Sequence, residues 1–281
     1  MFISNTLIDQ LIREDMPYSD LTTDVMGIAN EPAMMEFSAR YACTLAGLDE
    51  ATAILRQLGA TVECLADNGM TVAAGTPILQ AFGSAGVLHA GWKVAQNLME
   101  HAVGIATRTH EMVSRGRQIN PNLVIACTRK CVPGAKTLSM NAVQAGGGTP
   151  HRLGLSESFL LFENHSTFFN DEASLFKALK SAVDMQPERK LVVECEDLAY
   201  AIKVAECGVG VIQFDKISPA QLQDWVPQLK ARFPHLAIAA AGGINIESIS
   251  KYAATGIDVA VTSFVYTGNP MDIAVKIKRR N

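Results

Sequence analysis

The stretch KLVVECEDLAYAIKVAECGVGVIQFDK, residues 190–216, decides the fold. It opens with a β-branched apolar run at 190–195, continues through an amphipathic segment at 197–206, and closes with a second apolar run at 209–214. Continuous apolar strands that alternate with amphipathic helices are typical of a parallel sheet covered by helices. The stretch therefore predicts one strand–helix–strand unit of an α/β fold.

The same pattern repeats through the second half of the chain. Further strand-like runs lie at 123–127, 158–162, 236–241 and 258–263. Further amphipathic stretches, predicted as helices, lie at 137–145, 172–183, 218–232, 246–255 and 270–278. A spacing of about twenty residues and the lack of a G-x-G-x-x-G opening favour a barrel over a doubly wound sheet. Because about six units are visible rather than eight, we predict an incomplete, open parallel β/α barrel.

The first part of the chain has a different pattern. Leu7, Ile8, Leu11 and Ile12 have helical spacing, whereas MMEFSARYA and TVECLA alternate like strands and Asn68-Gly69 marks a turn. A long helical pattern follows from His89 to about Arg117. We therefore predict two domains: an N-terminal α/β domain with an antiparallel sheet and the interdomain helix, residues 1–110, and the open barrel, residues 111–281.

Composition limits the possible functions. The chain has 281 residues, of which 48% are hydrophobic and 19% charged, and a net charge of −4 that argues against non-specific binding to nucleic acid. We find no leader pattern and no apolar window long enough for a membrane span. The six scattered cysteines form no CxxC pair and are expected to be reduced thiols. These features predict a cytoplasmic protein.

Polar residues follow the predicted barrel strands where parallel β/α barrels carry their functional groups. The residues at these strand ends are Thr128, Arg129, Lys130, Glu163, Asn164, His165, Glu194, Glu196, Asp215, Lys216, Gly242, Gly243, Thr262 and Ser263. A surface of solvated loops would rarely place polar groups after every strand. The sequence thus predicts a polar site at the barrel mouth.

The segment 127–165 predicts that the ligand is a polyanion. It carries Arg129, Lys130, Lys136, His151 and Arg152 around the uninterrupted run Gly146-Gly147-Gly148. Guanidinium and ammonium donors match carboxylate and phosphate oxygens. We interpret His151 as a ligand contact, whereas His165 has two open interpretations, a ligand contact or a hydrogen bond within its own turn.

Two further pairs of residues have predicted ligands. Gly242 and Gly243 follow a strand and precede a helix expected to begin near Asn245 or Ile246, which favours phosphate binding by backbone N–H groups. Glu194 and Asp215 end consecutive strands, so their carboxylates could hold Mg²⁺ or sugar hydroxyls. A cysteine nucleophile is not favoured because no base is identified for one.

These residues resemble the quinolinate phosphoribosyltransferase family (nicotinate-nucleotide pyrophosphorylase, carboxylating). The resemblance spans nearly the whole chain and rests on short motifs: Asp20-Leu21-Thr22-Thr23, Ala46-Gly47-Leu48, Gly104–Thr107, Thr128-Arg129-Lys130, Pro133-Gly134, the GGG-x-x-HR-x-GL run at 146–155, Glu163-Asn164-His165 and Gly242–Asn245. It implies an N-terminal α/β domain, an open barrel, and a homodimer with its sites at the subunit interface.

The resemblance also implies a reaction and residue roles. Phosphoribosyl pyrophosphate and Mg²⁺ meet a pyridine dicarboxylate, whose ring nitrogen attacks the anomeric carbon while pyrophosphate leaves and carbon dioxide is lost. By resemblance, Arg129, His151 and Arg152 hold the acid, with Lys93 and Lys136 at two positions where the family has arginine. Lys130 faces the phosphates, Glu194 and Asp215 the ribose and metal, Gly242 and Gly243 the 5′-phosphate, and Thr262 and Ser263 lie beside them.

The chain departs from the family pattern on the acceptor side. Lys93 and Lys136 replace arginines, Met140 and Phe162 replace lysines, and Pro150, Lys216 and Ala241 replace Asn, Asn and Ser. A charge-assisted hydrogen bond contributes about 1.5–3 kcal/mol, so losing two reduces affinity for the dianion by about 10²–10⁴-fold. The pattern is similar to the divergent ModD branch, associated with molybdenum transport.

Three functions are therefore open. The first is a Mg²⁺-dependent phosphoribosyltransferase acting on a heteroaromatic nitrogen acceptor that is less anionic than quinolinate. The second is a quinolinate phosphoribosyltransferase of NAD biosynthesis in which Lys93 and Lys136 compensate. The third is a non-catalytic anion-binding protein on the same scaffold, for an oxyanion such as molybdate.

Overall fold

The computed structural model describes residues Ile3–Arg280. By its internal contacts the chain divides into two compact units. The first comprises Met1–His110, Cys131–Gly147 and Val265–Asn281, and the second comprises Glu111–Lys130 and Gly148–Phe264. The first unit thus includes two segments that the sequence analysis assigned to the barrel domain.

Within the described residues, strands and helices alternate regularly in the second half. The strands are β1 (Pro32–Ala39), β2 (Cys43–Thr44), β3 (Thr61–Cys64), β4 (Thr71–Val72), β5 (Pro77–Ser84), β6 (Val124–Cys127), β7 (Thr149–Pro150), β8 (Phe159–Leu161), β9 (Leu191–Cys195), β10 (Val211–Asp215), β11 (Ala237–Ala241), β12 (Val259–Thr262) and β13 (Ile273–Arg279). The helices are α1 (Asn5–Asp15), α2 (Leu21–Val25), α3 (Leu48–Gln57), α4 (Ala85–Ile119), α5 (Lys136–Ala145), α6 (Glu163–Ser166), α7 (Glu172–Met185), α8 (Leu198–Ala205), α9 (Pro219–Arg232) and α10 (Ile249–Ala253).

The first unit contains the predicted antiparallel sheet. Its strand order is β13-β1-β5-β3, and the inward residues of β1 alternate with partly buried ones, so that Met35 and Phe37 are fully buried. The predicted first helix is present as α1, where Ser4 accepts a hydrogen bond from the Leu7 N–H and Ile8 is fully buried. The sheet shares one core with α3 and the first half of α4, whereas α1 packs in a second cluster with Ile54 and Leu98.

One predicted helix is wrong. Residues 270–278 were expected to be amphipathic helix, but Ile273–Arg279 forms β13, which pairs antiparallel with β1. The apolar residues Ile273, Val275 and Ile277 alternate with Lys276 and Lys278, a period of two that suits one face of a strand. The segment is therefore an edge strand of the first unit.

The second unit is the predicted open parallel barrel. Its sheet has the order β7-β6-β12-β11-β10-β9-β8, with parallel pairing along its length. The six predicted strands are confirmed, and the two-residue β7 is an addition that the sequence analysis missed. Because β7 pairs only with β6 and β8 pairs only with β9, the sheet does not close.

Small side chains fill the concave side of this sheet. Ala126, Ala239, Ala241 and Val261 form one buried cluster inside it. On the opposite side Phe214 is fully buried and packs against Trp225 of α9, with ring centroids 5.3 Å apart. Polar residues at the strand ends therefore lie above a layer of small apolar residues.

Among the described residues, no helix has both the length and the apolar content needed to cross a membrane.

The helix after the Gly242-Gly243 turn begins later than predicted. It starts at Ile249 rather than near Asn245 or Ile246, and it has only 5 residues. The Asn245 Oδ1 accepts hydrogen bonds from the N–H groups of Glu247 and Ser248, each at 3.0 Å, and the Ile249 N–H donates to the Asn245 carbonyl, so Asn245 caps a turn that leads into the helix. Because these two N–H groups are already bonded to Asn245, the glycine turn is the better candidate for binding an anion in this segment.

Candidate active site

A cavity of about 540 Å³ opens at the carboxyl ends of the strands of the second unit. Every residue that lines it belongs to that unit. They include Thr128, Arg129, Lys130, His151, Arg152, Phe162, Glu194, Gln213, Asp215, Lys216, Gly242, Gly243, Asn245, Thr262 and Ser263. The strand-end prediction thus identified most of the polar lining, because parallel strands present their carboxyl ends at one edge.

Glu194 and Gln213 face the cavity from neighbouring strands. They are paired in register on β9 and β10, and the Gln213 Nε2 donates to Glu194 Oε2 at 3.1 Å. Side chains two residues apart on a strand share a face, so Asp215 lies on the same side as Gln213. Gln213 is buried, and its Oε1 has no hydrogen-bond partner among the described residues.

The two carboxylates affect each other electrostatically. Burial raises the pKa of Glu194, and the negative charge of Asp215 raises it further. The hydrogen bond from Gln213 and the charge of Lys216 act in the opposite direction and lower the pKa. Two carboxylates that repel each other in this way favour the binding of a cation or of hydroxyl donors between them.

Two arginines face the same cavity from β6 and β7. Burial lowers the pKa of Arg152, and the charge of Arg129 lowers it further, so the two guanidinium groups repel each other. The Arg152 guanidinium lies over the Phe162 ring, 5.6 Å from its centroid. An anion between the two cations would relieve their repulsion. Of the predicted basic cluster, Arg129, Lys130, His151 and Arg152 line this cavity together with an aromatic face, whereas Lys136 does not.

His151 is held beside this pair. The backbone N–H of His151 donates to the Cys127 carbonyl at 2.8 Å, which continues the β6–β7 pairing. Burial lowers the pKa of His151, the charge of Arg152 lowers it further, and the Gln213 amide raises it to a smaller extent. His151 is thus neutral near pH 7, when it offers one N–H donor and one nitrogen acceptor.

The turn after β11 brings backbone rather than side chains to the cavity. Gly242 and Gly243 both have positive φ angles, +94° and +76°. Thr262 Oγ1 donates to the Ile244 carbonyl at 2.7 Å and accepts from the Phe264 N–H. Thr262 therefore supports the glycine turn, while its predicted contact with substrate, like that of Ser263, stays a prediction.

Several predicted site residues lie elsewhere. Lys93 on α4 and Lys136 at the start of α5 belong to the first unit and do not line this cavity, so their substrate contacts stay predictions. Lys93 Nζ donates to Gln96 Oε1 at 3.0 Å. Met140 is buried in that same unit. His165 Nδ1 accepts from the Phe162 N–H at 3.1 Å, which supports its interpretation as part of a turn.

Burial and spacing argue against a cysteine nucleophile. Burial raises the pKa of the Cys127 thiol to about 12, so it is protonated at neutral pH. Within the described residues none of the six cysteines forms a disulfide, and Cys64 is exposed. The chemistry of the cavity therefore depends on charge and hydrogen bonding.

The sequence analysis did not identify Gln213 as a residue of the site, and it listed Lys216 among the strand-end residues without giving it a role. Gln213 interrupts the apolar run VGVIQF, and strand alternation from Asp215 would have placed it on the functional face. Lys216 was noted as a departure from the family pattern. Its positive φ of 59°, however, could not be predicted from the sequence, because a lysine rarely adopts this backbone conformation.

Comparison with known proteins places this fold and site in one class of glycosyl transferase. Residues 20–103 match the family described as "Quinolinate phosphoribosyl transferase, N-terminal domain", and residues 105–276 match "Quinolinate phosphoribosyl transferase, C-terminal domain". The chain belongs to the quinolinate phosphoribosyl transferase family. The sequence prediction of a pentosyltransferase of this family, with an open barrel, is confirmed.

Within the family, the chain is similar to proteins of the ModD branch. It is 43% identical to the protein of Rhodobacter capsulatus named "Putative pyrophosphorylase ModD", over 86% of this chain and 93% of that protein. It is 34% identical to the protein of the same name from Escherichia coli O6:H1, over 99% and 98% of the two chains. The crystal structure of NadC from Streptococcus pyogenes superposes with a TM-score of 0.89 at 25% identity, covering 100% of both chains.

Proposed function

We propose that this protein transfers a phosphoribosyl group from phosphoribosyl pyrophosphate to a ring nitrogen of a heteroaromatic acceptor less anionic than quinolinate. The observation that carries the proposal is the mixed lining of the cavity. Carboxylates, glycine backbone and lysines line it together with an aromatic ring, a neutral histidine and an arginine pair. The first set of groups suits a phosphorylated sugar, and the second suits a flat anionic acceptor with fewer negative charges than a dicarboxylate.

The donor side is supported by the groups that converge on it. Gly242 and Gly243 expose backbone that a phosphate can approach closely, and Lys130 and Lys216 supply ammonium charge at the exposed rim. Glu194 and Asp215 can accept hydrogen bonds from ribose hydroxyls. Few other ligand classes need both anionic and cationic partners within one cavity of this size.

Magnesium fits the same two carboxylates. Oxygen ligands suit Mg²⁺, and the charge of Asp215 already raises the pKa of Glu194, a repulsion that a cation would reduce. In the part of the chain that the structure describes, no cluster of three or more His, Cys, Asp or Glu side chains is placed to hold a metal. Two carboxylates completed by substrate phosphates are the usual protein contribution to such a site.

The chain's own residues then account for the chemistry. The acceptor nitrogen lone pair forms a bond to the anomeric carbon, and the carbon–oxygen bond breaks with its electron pair leaving on pyrophosphate. Carboxylates of Glu194 and Asp215 stabilise the positive charge that develops on the ribose. Lys130 stabilises the departing pyrophosphate, and bound Mg²⁺ would supply further positive charge there. No covalent intermediate with the protein is required.

The acceptor side is supported by Phe162. The ring lines the cavity under Arg152, at the position where the family resemblance places a lysine. An aromatic face offers stacking in place of an ion pair, so it favours a neutral or singly charged ring over a dicarboxylate. His151, neutral near pH 7, adds a hydrogen bond without adding charge.

The proposal extends to assembly and location. A homodimer is supported by the exposed apolar side chains of Tyr18, Leu21, Val25 and Met26 in the first unit, which a soluble monomer rarely clusters. A cytoplasmic location is supported by six cysteines that form no disulfide among the described residues. Velocity sedimentation of the purified chain tests the proposed homodimer directly.

We expect the wild-type protein to form little nicotinate mononucleotide from quinolinate and phosphoribosyl pyrophosphate. The amount of product should be about 10²–10⁴-fold lower than the amount formed with an acceptor that the protein prefers. Product formation is measured against a panel of pyridines with two, one and no carboxylates. Phe162→Lys is expected to raise turnover of quinolinate relative to the other pyridines, since it returns a cation to the cavity.

Phe168→Lys is the matched control, because Phe168 is an exposed phenylalanine that does not line the cavity. It adds the same charge and should leave the acceptor preference unchanged. Rapid turnover of quinolinate by the wild-type protein would refute the proposed acceptor class while leaving the phosphoribosyl transfer intact.

A further inference from the structure

Lys216 has an unusual backbone conformation at the edge of the cavity. Its φ angle is 59°, and it is the one non-glycine residue between Ile3 and Arg280 with a positive φ. For an L-residue with a Cβ, this left-handed conformation is unfavourable, and glycine or asparagine is the common occupant. Strained residues of this kind persist where surrounding structure holds them, and they cluster at ligand sites.

The turn after β11 holds Lys216 in this conformation. The Lys216 N–H donates to the Ala241 carbonyl at 2.8 Å. Gly242 lies so close that a Cβ built on it would be 2.6 Å from both the backbone nitrogen and the Cγ of Lys216. The lysine thus occupies the space that a side chain at Gly242 would need, and the two strand ends fix each other.

The local contacts of the ammonium group do not explain the strain. Nζ lies 3.7 Å from Asp215 Oδ2, and the Lys216 side chain is 81% exposed. Exposed ion pairs of this length contribute little to stability, so Asp215 alone does not offset the cost of the backbone. The side chain nevertheless lines the cavity, and its charge lowers the pKa of Glu194.

We propose that Lys216 is a diphosphate-binding residue of this protein, which the left-handed turn and its contact with Gly242 hold at the cavity rim. It adds a positive charge at the cavity rim beside Asp215, where it can reach a diphosphate on the anomeric carbon of a ribose that Glu194 and Asp215 hold. The inference rests on the proposed function, since it assigns a contact to the same donor.

The test is a comparison of Lys216→Asn, Lys216→Arg and wild type. Asparagine tolerates the left-handed conformation, so Lys216→Asn is expected to keep the fold and raise Tm by about 2–4 °C. The same variant is expected to bind inorganic pyrophosphate and phosphoribosyl pyrophosphate, each with Mg²⁺, about 10–100-fold more weakly, because one charge-assisted contact is lost. Lys216→Arg is expected to stay within about threefold of wild type.

Lys177→Asn is the matched control. It removes the same charge from an exposed lysine of α7 that does not line the cavity, and it should leave both affinities unchanged. If Lys216→Asn binds both ligands as tightly as wild type does, the inference is wrong and the proposed function stands. If wild type itself binds neither ligand, the proposed function fails and this inference fails with it.

Discussion

Arg129→Ala is expected to lower kcat/KM by about 10²–10⁴-fold with the preferred acceptor, because two charge-assisted hydrogen bonds of about 1.5–3 kcal/mol each are lost. Arg129 lies close enough to Arg152 for its charge to lower the Arg152 pKa, so the two side chains define one anion site. Removing one guanidinium also weakens the positive electrostatic potential that attracts the other substrate. Steady-state kinetics with both substrates varied gives this ratio.

Arg129→Lys separates charge from geometry. It keeps the positive charge but loses the planar fork, so we expect an intermediate loss of about tenfold. Arg115→Ala, which removes an exposed arginine paired with Glu111 on α4, is the control and should leave kcat/KM unchanged. Full activity of Arg129→Ala would mean that the reacting groups do not use this part of the cavity.

Asp215→Asn and Glu194→Gln are each expected to reduce kcat by about 10²–10³-fold, the usual effect of removing one group that stabilises transition-state charge. Both substitutions keep the size of the side chain, so stability should change little. Asp215→Asn also removes the negative charge that helps to raise the Glu194 pKa. Single-turnover kinetics at saturating substrate isolate the chemical step.

The same pair of variants distinguishes an enzyme from an anion-binding protein. A non-catalytic protein that holds an oxyanion such as molybdate has no use for these carboxylates, and its ligand affinity should be unchanged in both. Asp224→Asn, on the exposed side of α9, controls for loss of one negative charge. Unchanged turnover in Asp215→Asn would contradict the role given to the carboxylates.

Much of the barrel could be predicted because its strands are continuous apolar runs. Each of the six runs is flanked by an amphipathic segment, so local sequence alone indicates the parallel sheet. The strand β13 was misread as helix because its partner is β1, which lies more than two hundred residues earlier in the chain. Pairing with so distant a segment leaves only a short alternating pattern.

The structure places some of the predicted site residues at one cavity and others elsewhere, for definable reasons. Strand ends meet at one edge, which brings Arg129, Glu194 and Asp215 to the same cavity. The helix after Gly243 begins at Ile249, after a turn capped by Asn245, and its exact first residue could not be predicted from the residue pattern. Gln213 was overlooked since a polar residue inside an apolar run is usually assigned to solvent.

The central claim is that the cavity of the second unit binds a sugar bearing several phosphates together with Mg²⁺. Isothermal titration of phosphoribosyl pyrophosphate into the wild-type protein, with and without Mg²⁺, tests it most directly. We predict saturable binding at one site per chain that is stronger with Mg²⁺, and a smaller effect of Mg²⁺ on the affinity of Asp215→Asn. The absence of binding to the folded wild-type protein under both conditions would contradict the claim.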